Sequence, residues 1–320
     1  MKSDFIESEL ELYVQRLLVH EFYSSGNAYK MLKISPGKEK YLGYDAEIVG
    51  LTSFYCQFKT SDFLTKGTLY DQRNKFCATK GWPLAPFYSF ALRAPNDPAD
   101  KEDPTVWQHN ILHAMWKKNP TGVAYVAPIF HTRLEMELHE PSLSRGGCVL
   151  TYNPSSIAIE VACIGGHEWC RLPAFDGLVS IPPHTQVKVL KHNYCFTDHS
   201  DITFHSDPEP VDSGNTLHEQ LTAFIRRSTA PDNQANETAR MSLSEVRNLL
   251  GFDEDRADFL ERFLAFGLLR AGVERQQLQQ GAARFFDHKA EWLEQRLALA
   301  AALKAFFGIS TLGLFRFAND

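Results

Sequence analysis

Residues 41–59 mix apolar runs with a few isolated polar side chains, and this pattern leaves the segment few conformations. Ile48-Val-Gly-Leu51 and Phe54-Tyr-Cys-Gln57-Phe-Lys59 read as the two strands of a short hairpin, with Asp45 at its entrance. Successive side chains of a strand point to opposite faces, so Gln57 and Lys59 share one face and Phe58 takes the other. An aspartate on the neighbouring strand reaches the Gln57 face too. A carboxylate, an amide oxygen and an ammonium are therefore expected at one point of a sheet.

The flanking segments predict what covers that sheet. Over residues 4–22, Ile6, Leu10, Tyr13, Val14, Leu17 and Leu18 recur at three- and four-residue steps, the stripe of an amphipathic helix. Ser3 or Asp4 is placed to cap it, and Gly26-Asn27 to end it. Glu7 shares the stripe, Glu11 lies beside it and Glu21 stands at its far end. Residues 30–40 read as a connector. Residues 64–80 predict an irregular helix stopped by Gly81-Trp-Pro, 87–93 a strand, 106–118 a helix and 122–130 a strongly apolar strand. Strand, helix and strand after a hairpin predict an α/β sheet with helices on its faces. Short apolar runs at 148–152, 157–162, 177–181, 186–190 and 202–204 extend or decorate it.

The chain is 320 residues long and 44% hydrophobic, enough for a sizeable core. Residues 1–212 are expected as one α/β domain, with its core at about 1–135 and a strand- and loop-rich extension at 136–212. After the linker Ser228-Thr-Ala-Pro-Asp-Asn-Gln, helical patterns at 242–250, 254–269 and 273–307 predict a helical C-terminal domain over 213–320. Its last helix and the apolar tail Ile309-Ser-Thr-Leu-Gly-Leu-Phe315 offer a homo-oligomer interface. Residues 242–267 have a helix-turn-helix rhythm, but Asp253-Glu-Asp-Arg-Ala-Asp258 would bring acid to phosphate, so helix packing suits them better.

Net charge is −6, yet residues 27–93 hold ten Lys and Arg against five Asp and Glu, leaving −11 for the remainder. A basic region on an acidic chain is what a phosphate-binding site needs. Six scattered cysteines without an export signal are expected as reduced thiols of a cytoplasmic protein, and no apolar run approaches the length of a membrane span.

Gly43-Tyr44-Asp45 followed by Gln57-Phe58-Lys59 resembles the core motif of the PD-(D/E)XK, or restriction-endonuclease-like, nuclease superfamily, in the Gln-x-Lys form that Mrr-like enzymes carry. The resemblance covers roughly the first third of the chain. It implies a mixed sheet flanked by helices and a Mg²⁺-dependent endonuclease, with Mn²⁺ as a substitute. Asp45, the Gln57 amide oxygen, the Phe58 carbonyl and a helix glutamate would hold the metal, and Lys59 would orient or deprotonate the attacking water. Glu7 is the first choice of glutamate, with Glu11 and Glu21 in reserve. The implied partner is nucleic acid, with DNA ahead of RNA. A nuclease joined to an unrelated module also resembles bacterial anti-phage defence effectors, which implies a defence-system partner protein. The alternative is an inactive member of the same fold serving as a nucleic-acid-binding or oligomeric scaffold.

Other constellations carry less. Cys163-Ile-Gly-Gly-His167-Glu-Trp-Cys170, with Cys195 or His199, has the residue types of a zinc site without its tight spacing. His109 and His113 lie one helical turn apart with no glutamate in the order that a zinc protease requires.

Overall fold

The structure, a computed structural model, describes residues 1–23, 29–33, 48–93, 99–139, 157–163, 166–172, 175, 177–189, 191–205, 208–212, 214–228 and 292–317. Its strands are β1 (Tyr29–Lys33), β2 (Ile48–Phe58), β3 (Asp62–Leu64), β4 (Phe87–Ala91), β5 (Val123–Pro128), β6 (Ile157–Cys163), β7 (Gly166–Leu172), β8 (Leu178–Ile181), β9 (Asn193–Phe196), β10 (Thr203–His205), β11 (Glu209–Pro210), β12 (Asn215–Thr216) and β13 (Ser310–Phe317). The helices are α1 (Glu7–Tyr23), α2 (Thr68–Lys80), α3 (Gln108–Lys118), α4 (Arg133–Leu138), α5 (Leu217–Ser228) and α6 (Trp292–Phe307).

A mixed six-stranded sheet in the order β1-β13-β2-β5-β8-β12 forms the centre, and within it β2 and β5 run parallel. On one face, Phe54, Cys56, Phe58, Ala124, Val126, Leu312 and Leu314 pack beneath α1 and α5. On the other, Tyr55, Val123, Tyr125 and Ile181 meet α3, α6 and the aromatic residues of a second, antiparallel sheet, β11-β10-β9-β4-β3. The strict alternation of these two sets along β2 and β5 is the period-two pattern of a sheet covered on both sides.

Several expectations change. The hairpin over 41–59 is replaced, in its described part, by one eleven-residue strand. Thr52 and Ser53, read as a turn, lie mid-strand because β13 pairs alongside them from Ser310 opposite Cys56 to Arg316 opposite Gly50. A β-branched Thr and a small Ser fit a strand once a partner supplies the ladder. The strand at 87–93 enters the second sheet and not the first. Val187, within the strand expected at 186–190, instead exchanges both backbone groups with the Asn110 side chain, at 2.9 Å each. The Asn110 amide satisfies that backbone in place of a neighbouring strand.

The last described residues also depart from a purely helical C-terminal domain over 213–320. The helix α5 packs on the central sheet, and β13 is one of that sheet's inner strands, hydrogen-bonded to β1 and β2. The apolar tail read as an oligomer interface is thus core, with Ile309, Leu312 and Leu314 all buried. Residues 229–291, including the helix-turn-helix segment, lie outside the described residues.

Candidate functional site

Lys59 is the first residue beyond β2, and its backbone N–H donates to the Val126 carbonyl at 2.9 Å, so the pairing with β5 fixes its place. Its side chain is buried, and its Nζ lies 3.1 Å from Glu7 Oε1. Glu7 opens α1, and its side chain is 40% exposed, so the pair sits at the edge between core and solvent.

The helix is held in register from both sides. Leu10, Tyr13, Val14, Leu17 and Leu18 are buried against the sheet, while Ile6, counted in the same stripe, is exposed. Asp4 does not cap α1: its carboxylate accepts from the Arg133 N–H, and the Ile6 N–H donates to Glu9 Oε2 instead. One turn beyond Glu7, the buried Glu11 accepts from Ser310 Oγ at 2.5 Å and Lys304 Nζ at 2.8 Å. Glu11 therefore ties the corner between α6 and β13 to α1. Glu7, and not Glu11, is the one of these two placed on Lys59. Glu21 lies in the last turns of α1.

Burial holds the Lys59 pKa below the ordinary lysine value, the Glu7 carboxylate opposes this, and the charges of Arg93 and Lys304 add to it. The neutral amine thus comes within reach at lower pH than on a free lysine. Beside it, Gln57 is 1% exposed, and neither Oε1 nor Nε2 has a hydrogen-bond partner among the described residues. An unmade hydrogen bond on a buried polar group costs about 1–3 kcal/mol. A buried amide left open at both atoms is the kind of strain that functional sites hold. Ser61, two residues beyond Lys59, likewise has a buried hydroxyl without a partner among the described residues. Its period-two spacing from Gln57 and Lys59 was the signal for it in the sequence.

Tyr125 stands next to Gln57 in the β2–β5 register and closes the inner side. Its hydroxyl donates to His109 Nδ1 at 2.8 Å, and His109 Nε2–H donates to the Thr185 carbonyl at 2.6 Å. Burial pulls His109 down to about 3, so the ring is neutral, and burial pushes Tyr125 upward, aided by Tyr194 and Glu7. These groups are a satisfied structural network. His113 Nδ1 likewise bonds the Pro183 carbonyl at 3.0 Å.

Two expected ligands remain. Phe58 pairs with Val126 in the sheet and turns its ring into the core under α1. Asp45 lies outside the described residues, and Ile48, at the end of β2 nearer to it in sequence, is nine residues from Gln57, roughly 30 Å along a strand. Among the described residues no three His, Cys, Asp or Glu side chains converge. The segment of Cys163, His167 and Cys170 forms the hairpin β6–β7, with Cys163 opposite Gly166 and Cys170 opposite Ile159, so these cysteines sit at different levels of the ladder. Cys195 is a buried free thiol.

No family model matches the chain, and no curated protein or solved structure matches it. The site's own chemistry has to carry the functional reading. Its charge is more local than the basic count of residues 27–93 suggested: Lys59 and Arg73 are buried, and Arg73 is spent on the Asp201 carboxylate at 2.8 Å. Lys66, Lys75, Lys80 and Arg93 are exposed. No described helix is long and apolar enough to cross a membrane.

Proposed function

We propose that the chain is a Mg²⁺-dependent nuclease that hydrolyses phosphodiester bonds in nucleic acid, DNA before RNA, with Glu7, Gln57 and Lys59 at its centre. The observation that carries this is the meeting of a helix carboxylate and a buried lysine next to a buried, unpartnered amide. These are the residue types that the PD-(D/E)XK resemblance assigns to metal and water. Placement of the site on a mixed sheet between helices agrees with a restriction-endonuclease-like core.

The donor set fits a hard divalent ion in kind. Mg²⁺ takes oxygen ligands, keeps several waters and needs one or two carboxylates. Glu7 and Gln57 Oε1 would hold it, with the Phe58 carbonyl as a further ligand that the resemblance implies; Asp45, the other ligand it implies, is three residues in sequence from the far end of β2 and so out of reach of Gln57. When bound, the ion supplies an activated water and offsets charge on the phosphoryl oxygens. Lys59 as the neutral amine would take a proton from the attacking water, and as ammonium it would stabilise charge developing on the phosphate. Glu7 sets the balance between the two forms through its contact with Nζ. Roles in anti-phage defence, a partner protein, self-association and a cytoplasmic setting remain part of the same proposal.

The test is incubation of supercoiled plasmid, single-stranded DNA and RNA with the full chain and Mg²⁺ or Mn²⁺, with EDTA as control. Cleavage that EDTA abolishes supports the hydrolase and ranks its substrates. Absence of cleavage from all three under both metals favours the inactive scaffold. An Asp45→Asn variant that cleaves normally leaves Glu7 as the carboxylate of the site, and one that loses cleavage as fully as Lys59→Ala overturns this placement of it.

A further inference from the structure

Gln57, Lys59 and Ser61 stand at every second position, and all three are buried, at 1%, 3% and 0% exposed. Residues 59–61 link β2 to β3 with no turn or bend, and Ser61 is two residues beyond Lys59, within roughly 7 Å of it along the backbone. Phe58, between the first two, faces the core under α1. The outer members of the row are the unsatisfied ones: the Gln57 amide and the Ser61 hydroxyl have no hydrogen-bond partner among the described residues. Buried amides and hydroxyls are nearly always paired with protein or water. The middle member is a lysine, and open donors on both sides of it suit an anion with several oxygens. Solvent lies one side chain away, because Glu7, on Lys59 Nζ, is 40% exposed.

We propose that Gln57, Lys59 and Ser61 form one binding row for a phosphoryl oxyanion, in which Ser61 Oγ and Gln57 Nε2 each donate to an oxygen and Glu7 yields its place on Lys59. The identity of the substrate rests on the nuclease reading above; the anion site itself does not. Ser61 thereby becomes a ligand-contacting residue, and the Gln57 amide serves through both of its atoms, Oε1 toward a cation and Nε2 toward the anion.

The experiment is titration of the metal-free full chain with inorganic phosphate by calorimetry, for wild type, Ser61→Ala, Gln57→Leu and the exposed control Thr65→Ala. Hydrogen bonds to charged groups are worth about tenfold or more in affinity, so Ser61→Ala and Gln57→Leu should each weaken phosphate binding by at least that factor. Thr65→Ala should match wild type. Without phosphate, Ser61→Ala should melt at or above the wild-type temperature, since it deletes an unsatisfied hydroxyl. Phosphate binding unchanged in Ser61→Ala, no phosphate binding by wild type, or a lowered melting temperature in Ser61→Ala would each overturn the assignment. Ser61-dependent phosphate binding in a protein that cleaves no nucleic acid keeps the anion site and removes the reaction. Cleavage by Ser61→Ala with unchanged kcat and KM removes the site and keeps the reaction.

Discussion

Lys59 Nζ lies 3.1 Å from Glu7 Oε1, bringing together residues 52 positions apart in the chain. Lys59 is buried and Glu7 is not, so the lysine bears the desolvation and the glutamate can leave for solvent. A pair built this way suits exchange of the carboxylate for a substrate oxygen better than permanent bracing of the fold.

One consequence concerns stability. The folded-state pKa of Lys59 lies below the unfolded value of 10.5, so between the two the unfolded chain binds the extra proton. Stability therefore rises with pH through that window, and below it the buried ammonium is a standing cost. Lys59→Met should raise the urea midpoint while removing activity, because it deletes the buried charge and leaves the half-exposed Glu7 to water. A lowered midpoint would show that Lys59 braces the fold.

Loss of the carboxylate should act on pH dependence. Glu7 raises the Lys59 pKa, so Glu7→Gln should shift the lysine's titration to lower pH. Measured by pH-dependent acylation of Lys59 with mass-spectrometric readout, the midpoint should fall relative to wild type. An unmoved midpoint would mean that the contact is not made in solution.

The buried histidines give a separate acid signature. His109 titrates at about 3 and His205 at about 4 in the folded chain, against 6.5 for a free imidazole, both because of burial. Their contribution is fully present above pH 6.5 and is lost as pH falls through the folded values. Unfolding free energy should decline by about 1.4 kcal/mol per pH unit for each proton taken up, beginning between pH 6.5 and 5, before carboxylates protonate. A flat profile over that interval would contradict the burial of these rings.

Strand β13 makes the C-terminal residues indispensable. A chain ending at Ser228 lacks an inner strand of the central sheet and should show no cooperative unfolding transition. In the full chain, Leu312→Ala should cost about 2–5 kcal/mol, the range for emptying a buried leucine site. Cooperative melting of the shortened chain at the wild-type temperature would instead favour an independent N-terminal domain.

How far the sequence foretold this depends on the range of the forces involved. The buried positions of α1 followed from local periodicity, and the end of α2 from Gly81, whose φ of 69° places it in the left-handed region that glycine tolerates. Pairings between distant segments were not legible. Nothing local in Thr52-Ser53 reveals that β13, more than 250 residues later, will hold it extended, and nothing in Ser310 announces its bond to Glu11. The strand β9 was missed because His192-Asn-Tyr-Cys-Phe196 is short and polar at one end, although Tyr194, Cys195 and Phe196 are all buried.

The most direct test of the central claim is single-turnover plasmid cleavage in Mg²⁺ by wild type, Glu7→Gln and Lys59→Met, each shown folded by its unfolding transition. If Glu7 and Lys59 act on the reacting phosphate and its water, both variants should lose about 10²–10⁴-fold in rate, with Lys59→Met at least as stable as wild type. Cleavage by either variant at the wild-type rate would contradict the assignment.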